Sequence, residues 1–324
     1  MKRRLIIITL ILLILAGGAG FGGRYMLDYA LKPQALVENR DVQASFLRAF
    51  DSYPFLMEWT DSLLQADALG DLYMENDEGT RLHAYYLNAP EPTGKTAIVV
   101  HGYTDNAISV MQIAYIYNKV MGFNVLMPEL YGHGLSEGDA AQMGWLDRLD
   151  VLLWMETAEE MFGSKEMPVR MVVHGVSMGA ATTMMVAGEV EHGLHQLPYA
   201  KCFVEDCGYT SVWDEFGHEL WNRFYLPSFP LLNMASFFCN RQYGWNFQQA
   251  SALEAVKRST RPMLFIHGEA DDYVPTRMVY PLYEAHKGPK ELWTLPDVGH
   301  ADAFKSNPEE YTRRVKAFVE KYIN

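Results

Sequence analysis

Hydrophobic residues in this chain fall into short runs separated by longer segments of helical period. The runs near 97–100, 124–127, 170–174, 201–205, 262–267 and 291–295 predict strands, and the segments near 107–121, 145–162 and 178–190 predict helices. Strands and helices alternating at this spacing imply an α/β fold with a mostly parallel sheet covered on both faces. The last helix carries its own signals: Asn307 as N-cap, Pro308 at the first helical position, Glu310 completing a capping box, then Tyr311, Val315, Phe318 and Val319 on one face. Loops that carry chemistry gather at the carboxyl ends of strands in such a sheet.

Two segments break the alternation. From Gly208 to Gln249 run 42 residues, twelve of them aromatic, between two of the expected sheet strands. This stretch, about 208–250, predicts an inserted helical lid, because so long a segment inside a compact domain is usually functional. Most of its rings are expected to form the lid's own core, and a lid this apolar to wall a pocket suited to acyl or aryl groups, with Trp59 in the helical stretch 44–69 adding to it.

At the front, Met1-Lys2-Arg3-Arg4 precedes Leu5 to Gly23, nineteen residues without a charge. A basic flank and that length predict an uncleaved signal anchor over 1–23, a transmembrane helix that places the rest of the chain outside the cytoplasm as a single-pass cell-membrane protein. The alternative is an export signal cleaved near Gly17-Gly18-Ala19 and a secreted product. Residues 24–70 then read as a stalk, broken at Pro33, and an N-terminal helical segment, with the main domain over 71–324.

Composition narrows the functional classes. Hydrophobic residues make up 49% of the 324, too many for wholesale disorder, and a net charge of −13 disfavours nucleic acid and anionic surfaces as partners. Cys202, Cys207 and Cys239 make no disulfide framework, and Cys202 and Cys207 stand at opposite ends of one expected strand, so they read as structural thiols. His192 and His195, beside Glu189 and Glu191, imitate a metal pair, but no third ligand follows and they read as a solvated helix terminus. No Walker loop, dinucleotide fingerprint or His-Glu-x-x-His sequence occurs, so nothing calls for a metal or cofactor.

The most informative stretch is Gly175-Val176-Ser177-Met178-Gly179, which follows the apolar run ending at Val173 and leads into a small-residue helix. A G-x-S-x-G turn strains the serine backbone and exposes its hydroxyl at a helix N-terminus, and its glycines let strand and helix approach. A nucleophilic serine needs a base and an acid, in the chain order Ser, Asp, His. After the run Met263-Leu264-Phe265-Ile266, the loop from His267 to Pro275 supplies Asp271 as the acid, with Asp272 and Asp206 as substitutes. After Leu292 to Leu295, a turn supplies His300 as the base. His101, His174 and His267, each before a glycine at a strand end, read as packed imidazoles. The turn His101-Gly102-Tyr103 offers the Tyr103 amide, with the Met178 amide, as oxyanion donors, each typically worth about 10²–10³ in rate.

These motifs resemble the α/β-hydrolase family, in its serine esterase and serine-aminopeptidase-like branch, from about Asp71 to Asn324. The resemblance rests on His101-Gly102, on Gly175 to Gly179, and on Gly268-x-x-Asp271 with Gly299-His300. A fourth stretch, Pro128 to Ser136, is similar to the family's P-D-x-R-G-x-G-x-S loop but departs from it at Glu129 and Tyr131, which puts in doubt any ion pair made there. The resemblance implies an α/β-hydrolase fold, Ser177 as nucleophile, Asp271 as orienter, His300 as base, and Tyr103 and Met178 as oxyanion donors. It further implies hydrolysis of carboxylic esters through an acyl-enzyme, with activity rising through the ordinary imidazole range, about pH 6.5. An aminopeptidase or amidase on the same residues, with Asp214, Glu215 or Glu219 of the lid binding a substrate ammonium, is the alternative. A tethered, non-catalytic binding protein would lack a member of the Ser-Asp-His set, and none is missing.

Overall fold

The computed structural model describes residues 2–190 and 196–323, so Glu191, His192 and His195 lie outside the described residues. Two compact units divide the chain, one of residues 34–210 and 252–324, the other of 1–33 and 211–251.

The larger unit is built on an eight-stranded sheet: β1 (Leu69–Glu75), β2 (Arg81–Leu87), β3 (Lys95–Val100), β4 (Asn124–Glu129), β5 (Arg170–Val176), β6 (Ala200–Asp206), β7 (Met263–Gly268) and β8 (Lys290–Leu295). Their spatial order is β1-β2-β4-β3-β5-β6-β7-β8, with β1, β2 and β4 paired antiparallel and the rest parallel. The mostly parallel, doubly covered sheet expected from the alternation is therefore present. Every residue of β4 and β7 is buried, which is why their centres, Val125 to Met127 and Met263 to Ile266, are continuous apolar runs without a polar face.

The β1–β2 hairpin is not among the expected strands. Its turn is set by Asn76, whose Oδ1 accepts from the Glu78 and Thr80 amides, and by Gly79 at φ 76°. β1 alternates between half-buried and exposed positions, as suits an edge strand. The helical segment expected over 107–121 runs from Ala107 to Val120 and changes pitch, from a 3₁₀ turn to an α turn to a π turn at Ile116–Val120. Trp59 is buried edge-on against Tyr115 at 5.2 Å and belongs to the core rather than to the wall of a pocket. In the last helix, Pro308–Ile323, the Asn307 Oδ1 accepts from the Glu310 amide as a cap should, and Tyr311, Val315, Phe318 and Val319 are all buried.

In the smaller unit the expectation for the N-terminus is corrected. Among the described residues no helix is long and apolar enough to cross a membrane, which overturns the single-pass anchor and the extracytoplasmic placement that followed from it. The helix Lys2–Leu31 passes through the boundary expected at 23, because nothing breaks it before Pro33. Gly17, Gly18, Gly20, Gly22 and Gly23 dilute its apolar run, and charged Arg24 and Asp28 follow, 3.0 Å apart. Two of these glycines serve packing: a Cβ at Gly23 would stand 2.3 Å from Met234 Cβ, and one at Gly22 2.7 Å from Leu231 Cδ2, both in the helix Leu231–Tyr243. Leu27 and Leu31 are buried, and Tyr29 meets Phe224 edge-on at 5.5 Å.

The insertion between β6 and β7 contributes the helices Val212–Phe224 and Leu231–Tyr243 to this unit. Its rings divide. Phe216, Trp245 and Phe247 pack on one another, with Phe216 and Phe247 edge-on at 4.9 Å, whereas Trp221, Tyr225, Phe229 and Phe237 are exposed.

Candidate active site

Ser177 is the single residue between β5 and the helix Met178–Glu189, and its backbone sits at φ 58°, ψ −118°. No L-residue adopts that conformation without strain, so its surroundings must impose it. Two contacts do. A Cβ at Gly175 would fall 2.0 Å from the Gly179 carbonyl oxygen, and one at Gly179 would fall 2.1 Å from the Val100 oxygen, so only glycines let helix, β5 and β3 come this close. In addition, the Ser177 amide donates to the Asp206 carbonyl at 2.8 Å, anchoring the bend to β6.

The serine Oγ lies 2.8 Å from His300 Nε2, and His300 Nδ1 lies 2.7 Å from Asp271 Oδ2. The other carboxylate oxygen, Oδ1, accepts from the Tyr273 amide at 3.1 Å and the Val274 amide at 2.9 Å. Burial by itself would raise the Asp271 pKa, but hydrogen bonds from His267 and His300 prevail and hold it below the ordinary carboxylate range. An ionised Asp271 accepts from Nδ1–H, which leaves Nε2 as the acceptor facing the serine hydroxyl. The fold thus brings Ser177, Asp271 and His300 into one hydrogen-bonded chain. Asp272 is exposed, and Asp206 is taken by the Tyr311 hydroxyl, which donates to its Oδ2 at 2.8 Å.

His267 is more than a packed imidazole. Its Nε2 donates to the Val274 carbonyl at 2.8 Å and lies 3.4 Å from Asp271 Oδ2. Burial works against its protonation, yet the hydrogen bond to Asp271 and the charge of Glu205 leave its pKa above that of an ordinary imidazole. Glu205 is buried beside it, pushed up to about 8 by desolvation, with its Oε2 accepting from the Gly208 amide at 3.0 Å. His174 is the packed, hydrogen-bonded imidazole expected of it. Tyr117 donates to its Nδ1 at 2.9 Å, and its Nε2–H donates to the Tyr311 oxygen at 3.0 Å, while burial pushes its pKa down to about 3.

The turn expected to supply an oxyanion donor lies against the serine: a Cβ at Gly102 would stand 3.4 Å from Ser177 Cβ. Two buried, neutral histidines brace that turn. His101 donates through Nδ1 to the Gly102 carbonyl at 2.8 Å and accepts the Leu130 amide at 3.1 Å, and its pKa is pushed down to about 3 by burial. His133 donates through Nδ1 to the Tyr131 carbonyl at 2.8 Å and accepts the Thr104 amide at 3.2 Å, its pKa pushed down to about 4 by burial. Tyr103 stands between the two braced residues, and Met178 opens the helix, where first-turn amides have no acceptor within the helix. Beside this turn is a cavity of about 200 Å³ lined by polar side chains, among them Asn39, Arg48, Asp105 and Asn106.

Sequence reasoning missed two partners. Glu129, the departure from the family-like loop, is buried and pairs with His83, whose Nδ1 lies 2.9 Å from its Oε2. The two residues face each other in the β2–β4 register, a relationship no local motif announces. Cys207, directly after β6, is buried at φ 56°, and its sulfur, an Asp271 carboxylate oxygen and a His300 ring nitrogen all lie within 4.8 Å of one another. Of the insertion's carboxylates, Asp214 accepts from the Ser211 hydroxyl at 2.8 Å, Glu219 pairs with Arg223, and Glu215 is buried.

Comparison with known proteins bears on the family and the fold. A model of the alpha/beta hydrolase family matches residues 97–314. The uncharacterized protein YqkD of Bacillus subtilis is 28% identical over 242 residues, 75% of this chain and 76% of its own length. The alpha/beta hydrolase domain-containing protein WAV2 of Arabidopsis thaliana is 24% identical over 263 residues, 78% of this chain and 79% of its own. Among solved structures, the Pyrococcus furiosus esterase Pf2001 shares the fold with a TM-score of 0.63 at 22% identity, covering 79% of this chain and 92% of the esterase.

Proposed function

The chain belongs to the alpha/beta hydrolase family, and from that premise we propose that it is a serine hydrolase of the esterase branch, cleaving carboxylic esters of apolar acyl or aryl groups through an acyl-enzyme. The observation that carries this reading is the hydrogen-bonded sequence Ser177 Oγ, His300 and Asp271, at 2.8 Å and 2.7 Å. In the proposed cycle His300 Nε2 takes the Ser177 proton as Oγ attacks the ester carbonyl. Asp271 steadies the imidazolium that forms, and the Tyr103 and Met178 amides receive the developing oxyanion. The protonated His300 then returns its proton to the leaving alcohol, and water, activated by the same imidazole, releases the acid.

Support for esters over amino-terminal substrates comes from the insertion. Of the three carboxylates that could hold a substrate ammonium, Asp214 is engaged by the Ser211 hydroxyl and Glu219 by Arg223. The insertion also leaves the rings of Trp221, Tyr225, Phe229 and Phe237 exposed.

An organophosphonate probe tests the nucleophile. One equivalent is expected to attach covalently to Ser177, located by peptide mass spectrometry, and attachment is expected to vanish in Ser177→Ala. Folded protein that takes up no label sinks the reading. Turnover of a p-nitrophenyl acyl ester series, compared with amino-acid anilides, tests the substrate class, and faster cleavage of the anilides overturns the ester assignment.

A further inference from the structure

Three groups of different chemistry converge behind the proposed base. Cys207 Sγ, a carboxylate oxygen of Asp271 and a ring nitrogen of His300 lie within 4.8 Å of one another. They come from three separate strand ends, after β6, β7 and β8, so their meeting is a product of the sheet rather than of any local motif. Zinc bound tetrahedrally by sulfur, nitrogen and oxygen holds its ligand atoms roughly 3.3–3.8 Å apart, given metal–ligand bonds of about 2.0–2.3 Å. The Asp271 oxygen and His300 Nδ1, now 2.7 Å apart across a shared proton, need to part by about 0.6 Å to reach the lower end of that spacing.

We propose that Cys207, Asp271 and His300 form an inhibitory site for a thiophilic divalent cation of the zinc class, a proposal that rests on the reading of Asp271 and His300 as the working acid and base. Charge favours it. A thiolate, a carboxylate and a neutral imidazole around a dication sum to zero, the one total that a buried site tolerates without a further counter-ion. Supporting contacts are in place as well: the Ala301 amide donates to the Cys207 sulfur, and the Tyr273 and Val274 amides hold the Asp271 oxygen Oδ1. His300 is the way in, since its side chain is 20% exposed while Asp271 is fully enclosed.

Proton accounting explains why binding would inhibit. The cation takes His300 Nδ1, whose proton moves to Nε2. The Cys207 thiol proton leaves to solvent, and a water completes the fourth position. Nε2 then donates to Ser177 Oγ instead of accepting from it, so the imidazole no longer serves as a base. Without a cation the thiol stays protonated, because burial and the neighbouring Asp206 and Asp271 carboxylates push its pKa well up, and the site is silent.

The full chain, stripped of metal with a chelator, is titrated with Co²⁺ in the absence of substrate. One equivalent is expected to produce a thiolate-to-cobalt charge-transfer band in the near ultraviolet. Zn²⁺ should erase that band and suppress ester turnover over the same concentration range, and chelator should restore turnover. Cys207→Ser should abolish the band and raise the half-inhibiting zinc concentration by at least about 100-fold, since losing a ligand costs no less than losing an outer-shell partner. X-ray absorption at the zinc edge of the unaltered chain needs no variant and should find one sulfur neighbour. No band, a band that survives Cys207→Ser, or a zinc shell without sulfur overturns the site. Because the band is read without substrate, a chain that binds Co²⁺ through sulfur yet cleaves no ester refutes the hydrolase reading alone, and an active esterase indifferent to zinc refutes the site alone.

Discussion

His267 Nε2 stands 3.4 Å from Asp271 Oδ2, the same oxygen that His300 Nδ1 meets at 2.7 Å. One carboxylate oxygen thus serves two imidazoles, and the hydrogen bond from His267 is the first of the influences that pull the Asp271 pKa down against burial. His267→Gln removes the ring. The Asp271 pKa then rises, its ionisation is lost at a higher pH than before, and the acid limb of the kcat profile moves up in pH. We expect kcat to fall about tenfold with KM unchanged, the mark of a positioning residue. A change in thermal stability with the acid limb unmoved would assign His267 a structural role only.

Asp147 tests the linkage of a buried acid to stability. Its Oδ2 accepts from the Gly144 amide at 2.7 Å, and burial, helped by Asp150, pushes its pKa up to about 8. The folded state holds the proton more tightly than the unfolded chain does. This contribution is therefore complete below the ordinary carboxylate range and is lost as pH rises through about 8. Asp147→Asn is neutral throughout, so its stability relative to the parent should improve between about pH 4 and 8, by at most about 1.4 kcal/mol per pH unit, and level off above. Urea unfolding across that window measures it, and parallel pH curves for the two proteins would refute it.

Gly179→Ala places a Cβ 2.1 Å from the Val100 carbonyl oxygen, a backbone atom that cannot swing aside. Either β3 or the helix Met178–Glu189 must shift, at a cost of about 3 kcal/mol. Urea unfolding should register that loss, and organophosphonate labelling of Ser177 should slow with it, since the bend loses its shape.

The N-terminal helix offers a paired test. Gly23→Ala sets a methyl 2.3 Å from Met234 Cβ, whereas Gly17→Ala meets nothing within 4 Å. The first should loosen the helix Lys2–Leu31 from Leu231–Tyr243 and speed tryptic cleavage at Arg24. The second should leave cleavage unchanged or slower, because alanine favours helix over glycine by about 1 kcal/mol. Equal cleavage rates for both variants would show that the glycine contact is not what holds this helix.

What could be read from sequence follows from how each feature is encoded. The bend at Ser177 is local, its glycines two positions on either side, and the order of Ser177, Asp271 and His300 follows the order of strand ends, so both were legible. The cap at Asn307 was legible for the same reason. His83 with Glu129 was not, because their pairing depends on the antiparallel register of β2 and β4, 46 residues apart. Cys207 read as an inert thiol, since its neighbours Asp271 and His300 come from other strand ends. The β1–β2 hairpin left a signal, Asn76 to Gly79, that went unused. The uncharged run Leu5 to Gly23 misled because its glycines have the composition of a weakly apolar span and the function of a helix contact.

The hydrogen bond from the Ser177 amide to the Asp206 carbonyl, 2.8 Å long, ties this corner of the chain to a strand that belongs to neither of its arms. A corner pinned from the side cannot unwind into the helix ahead of it or straighten into the strand behind it. The tension at that residue is thus set once, when the sheet assembles, and every molecule that later reaches the hydroxyl meets it already aimed.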